Sequence, residues 1–110
     1  MRTKQSAIRS AKILRDKLSP RWKIRVWENL GWHYTVSSPK GFISVHPDSN
    51  DNTYWVMIST SYPGTGDSGW YENGKSYKSP REAVLKSLET YHKKLKQKYE
   101  TISSEIMSLI

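Results

Sequence analysis

The chain has 110 residues, no cysteine and a formal net charge of +8 at pH 7, from 18 Lys and Arg against 10 Asp and Glu. This length suits a single domain, residues 1–110, with one modest core. The lack of cysteine excludes disulfides and thiolate metal sites and is typical of a reducing cytoplasm, where we expect the protein. The first 20 residues lack a signal-peptide pattern, and no apolar run approaches the ~20 residues that a transmembrane helix needs.

Residues 3–18 are predicted to form an amphipathic helix that ends at Ser19-Pro20. Its apolar positions recur at helical spacing and are Ala7, Ala11, Leu14 and Leu18. Residues 1–25 carry nine Lys and Arg against one Asp, and such a basic flank favours polyanions. Its candidate binding cations are Arg9, Lys12 and Arg15, although Lys and Arg on a helix can also serve solubility alone.

Residues 22–59 are predicted to form a four-stranded antiparallel meander, because apolar and other residues alternate with a period of two. Turns are predicted at 28–31 and 38–41, where Asn and Gly can take positive φ. The apolar face consists of Ile24, Val26, Trp32, Tyr34, Val36, Ile43, Val45, Val56 and Ile58. The opposite face is mixed and carries Lys23, Arg25, Trp27, His33, Thr35, Phe42, His46, Trp55 and Met57.

The mixed face is the candidate binding surface. It has too many aromatic side chains for an ordinary solvent-exposed face and too many cations for a second hydrophobic core. Aromatic rings stack on bases, and neighbouring cations neutralise phosphates. The predicted binding residues here are Lys23, Arg25, Trp27, His33, Phe42 and Trp55. The alternative is that a loop or the helices cover Trp27 and Trp55, since Trp is usually well buried.

Residues 60–78 are predicted to be a loop with a small hairpin around Asn73-Gly74, and residues 79–110 a long helix. Ser79 suits the N-cap, Pro80 the first helical position and Glu82 a capping box. The expected fold class is therefore α+β, with an N-terminal helix, a four-stranded meander and a long C-terminal helix, both helices on one face of the sheet.

The end of the C-terminal helix should extend beyond the sheet, because small sheets span only ~20 Å. Its apolar residues are Tyr99, Ile102, Ile106 and Leu109. Either residues 3–18 cover them within the chain, or a second copy does so in a homodimer. The homodimer is favoured, because residues 3–18 supply few apolar side chains and two of these are Ala.

Catalytic chemistry is not predicted. The histidines His33, His46 and His92 are scattered, although His33 and His46 share the mixed face and could form a two-His, one-carboxylate set with Asp48 or Asp51. No carboxylates are paired at a spacing that would separate their pKa values. We expect no enzyme activity, no cofactor and no metal.

The segment W-E-N-L-G-W-H-Y at residues 27–34 resembles short uncharacterised proteins of bacteriophages and prophages. This resemblance implies an anti-defence role, such as that of an anti-CRISPR protein. The sequence thus predicts a small basic binding protein that acts on nucleic acid or on a host protein associated with nucleic acid. The alternative is a phage-encoded inhibitor that binds a host protein directly.

Overall fold

The computed structural model describes residues 1–48, 52–60, 69–71 and 74–109. One helix precedes and one helix follows a single antiparallel sheet along the chain, and the strands of the sheet lie in chain order. The elements are α1 (Lys4–Leu18), β1 (Lys23–Glu28), β2 (Trp32–Ser38), β3 (Gly41–Pro47), β4 (Tyr54–Thr60), β5 (Trp70–Tyr71) and α2 (Pro80–Ser108). The predicted α+β class is confirmed, but the described sheet has five strands rather than four.

Both helices pack on the apolar face of the sheet and share one hydrophobic core with it. Helix α1 contacts β1 and β2, while α2 contacts β4 and β3. The helices approach the sheet closely through small side chains, since Ala7, Ala11 and Ala83 are completely buried. On the sheet, the predicted core positions from Tyr34 to Ile58 are buried, and Ile24, Val26 and Trp32 pack against them partly buried.

The fifth strand lies within residues 60–78, for which the sequence predicted a loop with a small hairpin around Asn73-Gly74. Trp70 and Tyr71 pair with Ile58 and Met57 of β4, and Tyr77 makes an isolated bridge to Tyr54 further along the same edge. These pairings extend the sheet beyond β4. The expected Gly-rich loop at 61–68 and the turn residue Asn73 lie outside the described residues.

The turn between β1 and β2 uses a different residue from the one expected. The sequence favoured positive φ at Asn29 and Gly31, but the left-handed residues are Leu30 (φ 53°) and Gly31 (φ 117°). A Cβ is strained in this region, and Leu30 gains little from packing because its side chain is 79% exposed.

We expect Leu30→Gly to raise the free energy of unfolding by about 0.5–1 kcal/mol, because glycine removes the Cβ strain at positive φ. Urea denaturation measures this change. The matched control is Lys40→Gly in the β2–β3 turn, where glycine only adds chain entropy to the unfolded state and should lower stability. A destabilised Leu30→Gly protein would contradict the turn geometry.

Helix α2 begins as predicted and extends beyond the sheet. The Ser79 hydroxyl accepts a hydrogen bond from the Glu82 backbone N–H at 3.1 Å, and Pro80 occupies the first turn. The 29 residues span ~43 Å, and Ser103-Ser104 do not interrupt the helix. Its C-terminal apolar residues remain exposed, and Tyr99 is 73% exposed. Helix α1 does not cover them, so the intramolecular alternative is wrong.

Candidate nucleic-acid interface on the open sheet face

The face of the sheet opposite the helices carries a continuous row of rings, which we call the aromatic row: Trp27, His33, His46, Trp55 and Tyr71. The first four are direct cross-strand partners, Trp27 with His33 on β1–β2 and His46 with Trp55 on β3–β4. Trp27 stacks on His33 with ring centroids 5.2 Å apart, and His46 stacks on Trp55 at 4.3 Å. Tyr71 meets the edge of Trp55 at 5.7 Å, so the row crosses all five strands.

A chain of hydrogen bonds runs through the two histidines at the centre of this row. The His33 Nε2 lies 2.8 Å from the Asn29 carbonyl oxygen, which can only accept, so Nε2 carries the proton. In a neutral His33 the Nδ1 is then an acceptor, and the His46 Nδ1 donates to it across 2.9 Å. The His46 Nε2 in turn accepts from the Ser44 hydroxyl at 2.7 Å. Every polar atom of the pair is satisfied in this arrangement.

This environment disfavours a charged His46. Burial, and secondarily the nearby His33, lower the pKa of His46 to about 4. His33 itself is only 9% exposed. At neutral pH His46 is therefore uncharged.

The pairing of Ser44 with His46 has the geometry of a nucleophile and its base, but the serine is inaccessible. Ser44 is 4% exposed, so a substrate carbonyl cannot reach its hydroxyl in this conformation. The possible set of His33, His46 and Asp48 is also not assembled as a metal site among the described residues. The Asp48 carboxylate is hydrogen-bonded by Thr53, and Asp51 lies outside the described residues. Among the described residues, no three His, Asp or Glu side chains cluster as a metal site.

The nine predicted binding residues fall on two sides of the molecule. Trp27, His33 and Trp55 belong to the aromatic row, and Arg25 lies over the Trp27 ring at 5.4 Å from its centroid. Lys23 is exposed on the same strand. Phe42 shares the face but lies four residues from His46 along β3, or ~13 Å from the row.

Three of the predicted cations belong to the other side. Arg9 and Lys12 are exposed on α1, and Arg15 on the same helix is half-buried beside Asp16. Because α1 covers the opposite face of the sheet, these residues cannot join Trp27 in one surface.

Sequence reasoning missed Ser44 and Tyr71. Ser44 has the same strand parity as His46, so alternation alone places both on this face. No comparable signal existed for Tyr71, which follows a long connection and joins the row only through the pairing of β5. Trp55 and Tyr71 also line a cleft of about 420 Å³ with Asp48 and Lys75, which brings one further cation to this end of the face.

The fold and the open face define an α+β protein whose sheet is covered by helices on one side and carries a hydrogen-bonded aromatic row on the other. Comparisons with family models, with curated protein sequences and with solved structures give no match. None of the helices in the described segments is long and apolar enough to cross a membrane.

Proposed function

We propose that the protein is a non-catalytic binding protein that takes single-stranded nucleic acid across the open face of its sheet. The observation that carries the proposal is the aromatic row, which crosses five strands on a face without a helix over it in the described residues. A flat sheet face suits unpaired bases, which stack on or insert between aromatic side chains. Four strand spacings make the row ~19 Å long, enough for a few nucleotides.

Cations lie where a phosphate backbone would need them. Lys23 and Arg25 are exposed at the β1 end of the face, and Lys75 lies at the β5 end beside Tyr71. Each phosphate that they neutralise releases counterions, so binding should weaken as salt rises, with a log–log slope of about −0.7 per contact on a single strand. The net charge of +8 adds a favourable long-range field for a polyanion.

We expect the double variant Lys23→Ala, Arg25→Ala to bind a labelled single strand of roughly 16 nucleotides at least ~10-fold more weakly, with a salt slope reduced by about 1.4. Fluorescence anisotropy over a range of salt concentrations measures both quantities. The matched control is Arg9→Ala, Lys12→Ala, which removes the same charge from α1 on the opposite side. That control should lose only the small contribution that long-range electrostatic attraction makes to the binding affinity.

A second variant tests the rings separately from the charges. Trp55→Ala should weaken binding by about 1–3 kcal/mol, the contribution of one stacked base, without changing the salt slope. Circular dichroism first verifies that the variant is folded. An α1 double variant that binds worse than the β1 double variant would place the nucleic acid on the helices. Absence of any salt-dependent binding to DNA or RNA would overturn the proposal.

The second candidate is a phage-encoded inhibitor that uses the same face against a host protein in the cytoplasm. The observation in its favour is that Trp27 and Trp55 already stack on histidines, which makes the face a preordered aromatic surface of the kind that anchors protein interfaces. A pull-down from host lysate with and without nuclease separates the two. A partner that survives nuclease and is lost in Trp55→Ala favours the inhibitor.

A further inference from the structure

Helix α2 carries two apolar stripes. The first is buried within the chain, whereas the second is only partly covered there, at Leu88 and Leu95. Val84 and Tyr91 are buried against the sheet. A second stripe lies beside the first, displaced by one position around the helix. We call it the α2 seam, and its residues are Leu85, Leu88, His92, Leu95, Tyr99, Ile102, Ile106 and Leu109. Its spacings alternate three and four without exception, which is the heptad pattern of helices that pair along their length. Much of the seam faces solvent, with Leu85 53% and Ile106 56% exposed.

The seam is complementary to itself in the antiparallel direction. A two-fold axis at Gln97 brings Leu85 level with Leu109 of a second copy. The same axis brings Leu88 level with Ile106, His92 with Ile102, and Leu95 with Tyr99. Every seam residue therefore meets another seam residue, as a closed two-fold interface requires. A parallel pairing would place His92 beside its own symmetry mate.

The fold leaves room for the incoming helix. Between α1 and α2 lies an apolar groove of about 430 Å³. Its α2 wall includes Leu85 and Leu88 of the seam, its α1 wall includes Ile13, Leu14 and Leu18, and Tyr34 lies beneath. In the antiparallel register, the groove lies level with Ile106 and Leu109 of the second copy, which are the most distal apolar residues of the seam.

The size of this surface fits a second copy. A stable interface needs about 800 Å² or roughly 20–30 residues a side, and the seam supplies eight residues over a 25-residue span of α2, to which its flanking positions and the α1 wall add. On one flank the two-fold brings Lys96 near both Lys96 and Glu100 of the second copy. On the other flank the two Lys98 side chains approach each other, so dimerisation should not weaken as salt is raised.

We propose that two copies of this chain associate through an antiparallel pairing of their α2 seams, each helix end filling the α1–α2 groove of the other. The proposal is independent of nucleic-acid binding, which uses the opposite face of the sheet. Raised salt distinguishes the dimer proposal from the nucleic-acid proposal, because salt weakens polyanion binding and leaves the apolar seam intact.

Sedimentation and light scattering at tens of micromolar test the seam. We expect a dimer for the intact protein and a monomer for Ile102→Asp, Ile106→Asp, with the dissociation constant raised more than ~100-fold. The control is Met107→Asp, an exposed residue beside Ile106 but off the seam, which should remain dimeric. His92→Leu replaces the one polar seam residue and should tighten the dimer. Because these side chains are exposed in the monomer, circular dichroism should show intact folds.

Cross-linking tests the register, since the chain has no cysteine of its own. Mixing His92→Cys with Ile102→Cys protein should give a disulfide-linked heterodimer under oxidation, because these positions lie level. Each variant alone should cross-link poorly, because its two sulfurs are offset by ten residues, or ~15 Å, and a disulfide needs Cα atoms within about 7 Å. A monomeric intact protein, or efficient cross-linking of His92→Cys with itself, would overturn the antiparallel dimer.

Discussion

Replacing Tyr34 with Ala should lower the free energy of unfolding by about 3–5 kcal/mol, the usual cost of removing a large buried ring. Tyr34 is 2% exposed and lies on β2 opposite Val26 and Val45, so its ring borders both neighbouring strands. It also forms part of the groove between α1 and α2. Loss of the ring therefore loosens the contact of both helices with the sheet. Urea denaturation followed by tryptophan fluorescence measures the loss.

Tyr34→Phe is the matched control, because it keeps the ring and removes only the hydroxyl. Burial raises the pKa of that hydroxyl well above its usual range, so it remains protonated and at most one neutral hydrogen bond is lost. We expect Tyr34→Phe to lower the free energy of unfolding by about 0.5–1.5 kcal/mol. If Tyr34→Phe costs as much as Tyr34→Ala, the hydroxyl rather than the ring holds the helices in place.

The first four strands could be predicted from the sequence because two local signals agree on them. Period-two alternation separates the faces, and short turns at 28–31 and 38–41 set the register that pairs Trp27 with His33 and Tyr34 with Val45. The fifth strand has neither signal. Two residues cannot show alternation, and Trp70 and Tyr71 become a strand only because the edge of β4 offers backbone groups to pair with.

The candidate site was predictable as a face but not as a network. Alternation placed Trp27, His33 and Trp55 together, yet the bond between the two His Nδ1 atoms depends on ring rotamers that no spacing specifies. The second stripe of α2 was hidden for another reason. Val84 and Leu85 are adjacent in the sequence, as are Tyr91 and His92, so a single apolar stripe describes both until burial separates the inward from the outward residues.

The hydrogen bonds of the histidine pair at the centre of the row can accommodate one added proton but not two. With one added proton, either histidine can donate both of its N–H groups while every hydrogen bond to Asn29, Ser44 and the partner ring is kept. A second proton places two N–H groups against each other across 2.9 Å, which breaks the central bond and opposes like charges. Arg25 over Trp27 adds a further positive charge at the β1 end of the row.

We therefore expect stability to fall as the pH is lowered from about 6.5 to about 4. The pKa of His46 is about 4 in the folded protein against 6.5 in the unfolded chain, so the unfolded state binds the proton first and gains stability across that window. The full difference between the two pKa values corresponds to a loss of ~3 kcal/mol in the free energy of unfolding, and partial solvent contact of His46 reduces this loss to about 2 kcal/mol.

His46→Gln should remove this part of the pH dependence in urea denaturation, whereas His92→Gln, an exposed histidine on α2, should retain it. NMR titration tests the same point directly in the folded protein. The His46 ring should titrate near pH 4, and nearer its ordinary value in His33→Gln, where burial still acts but the neighbouring charge is gone. A His46 midpoint at or above 6.5 in the intact protein would contradict the lowering of its pKa by burial.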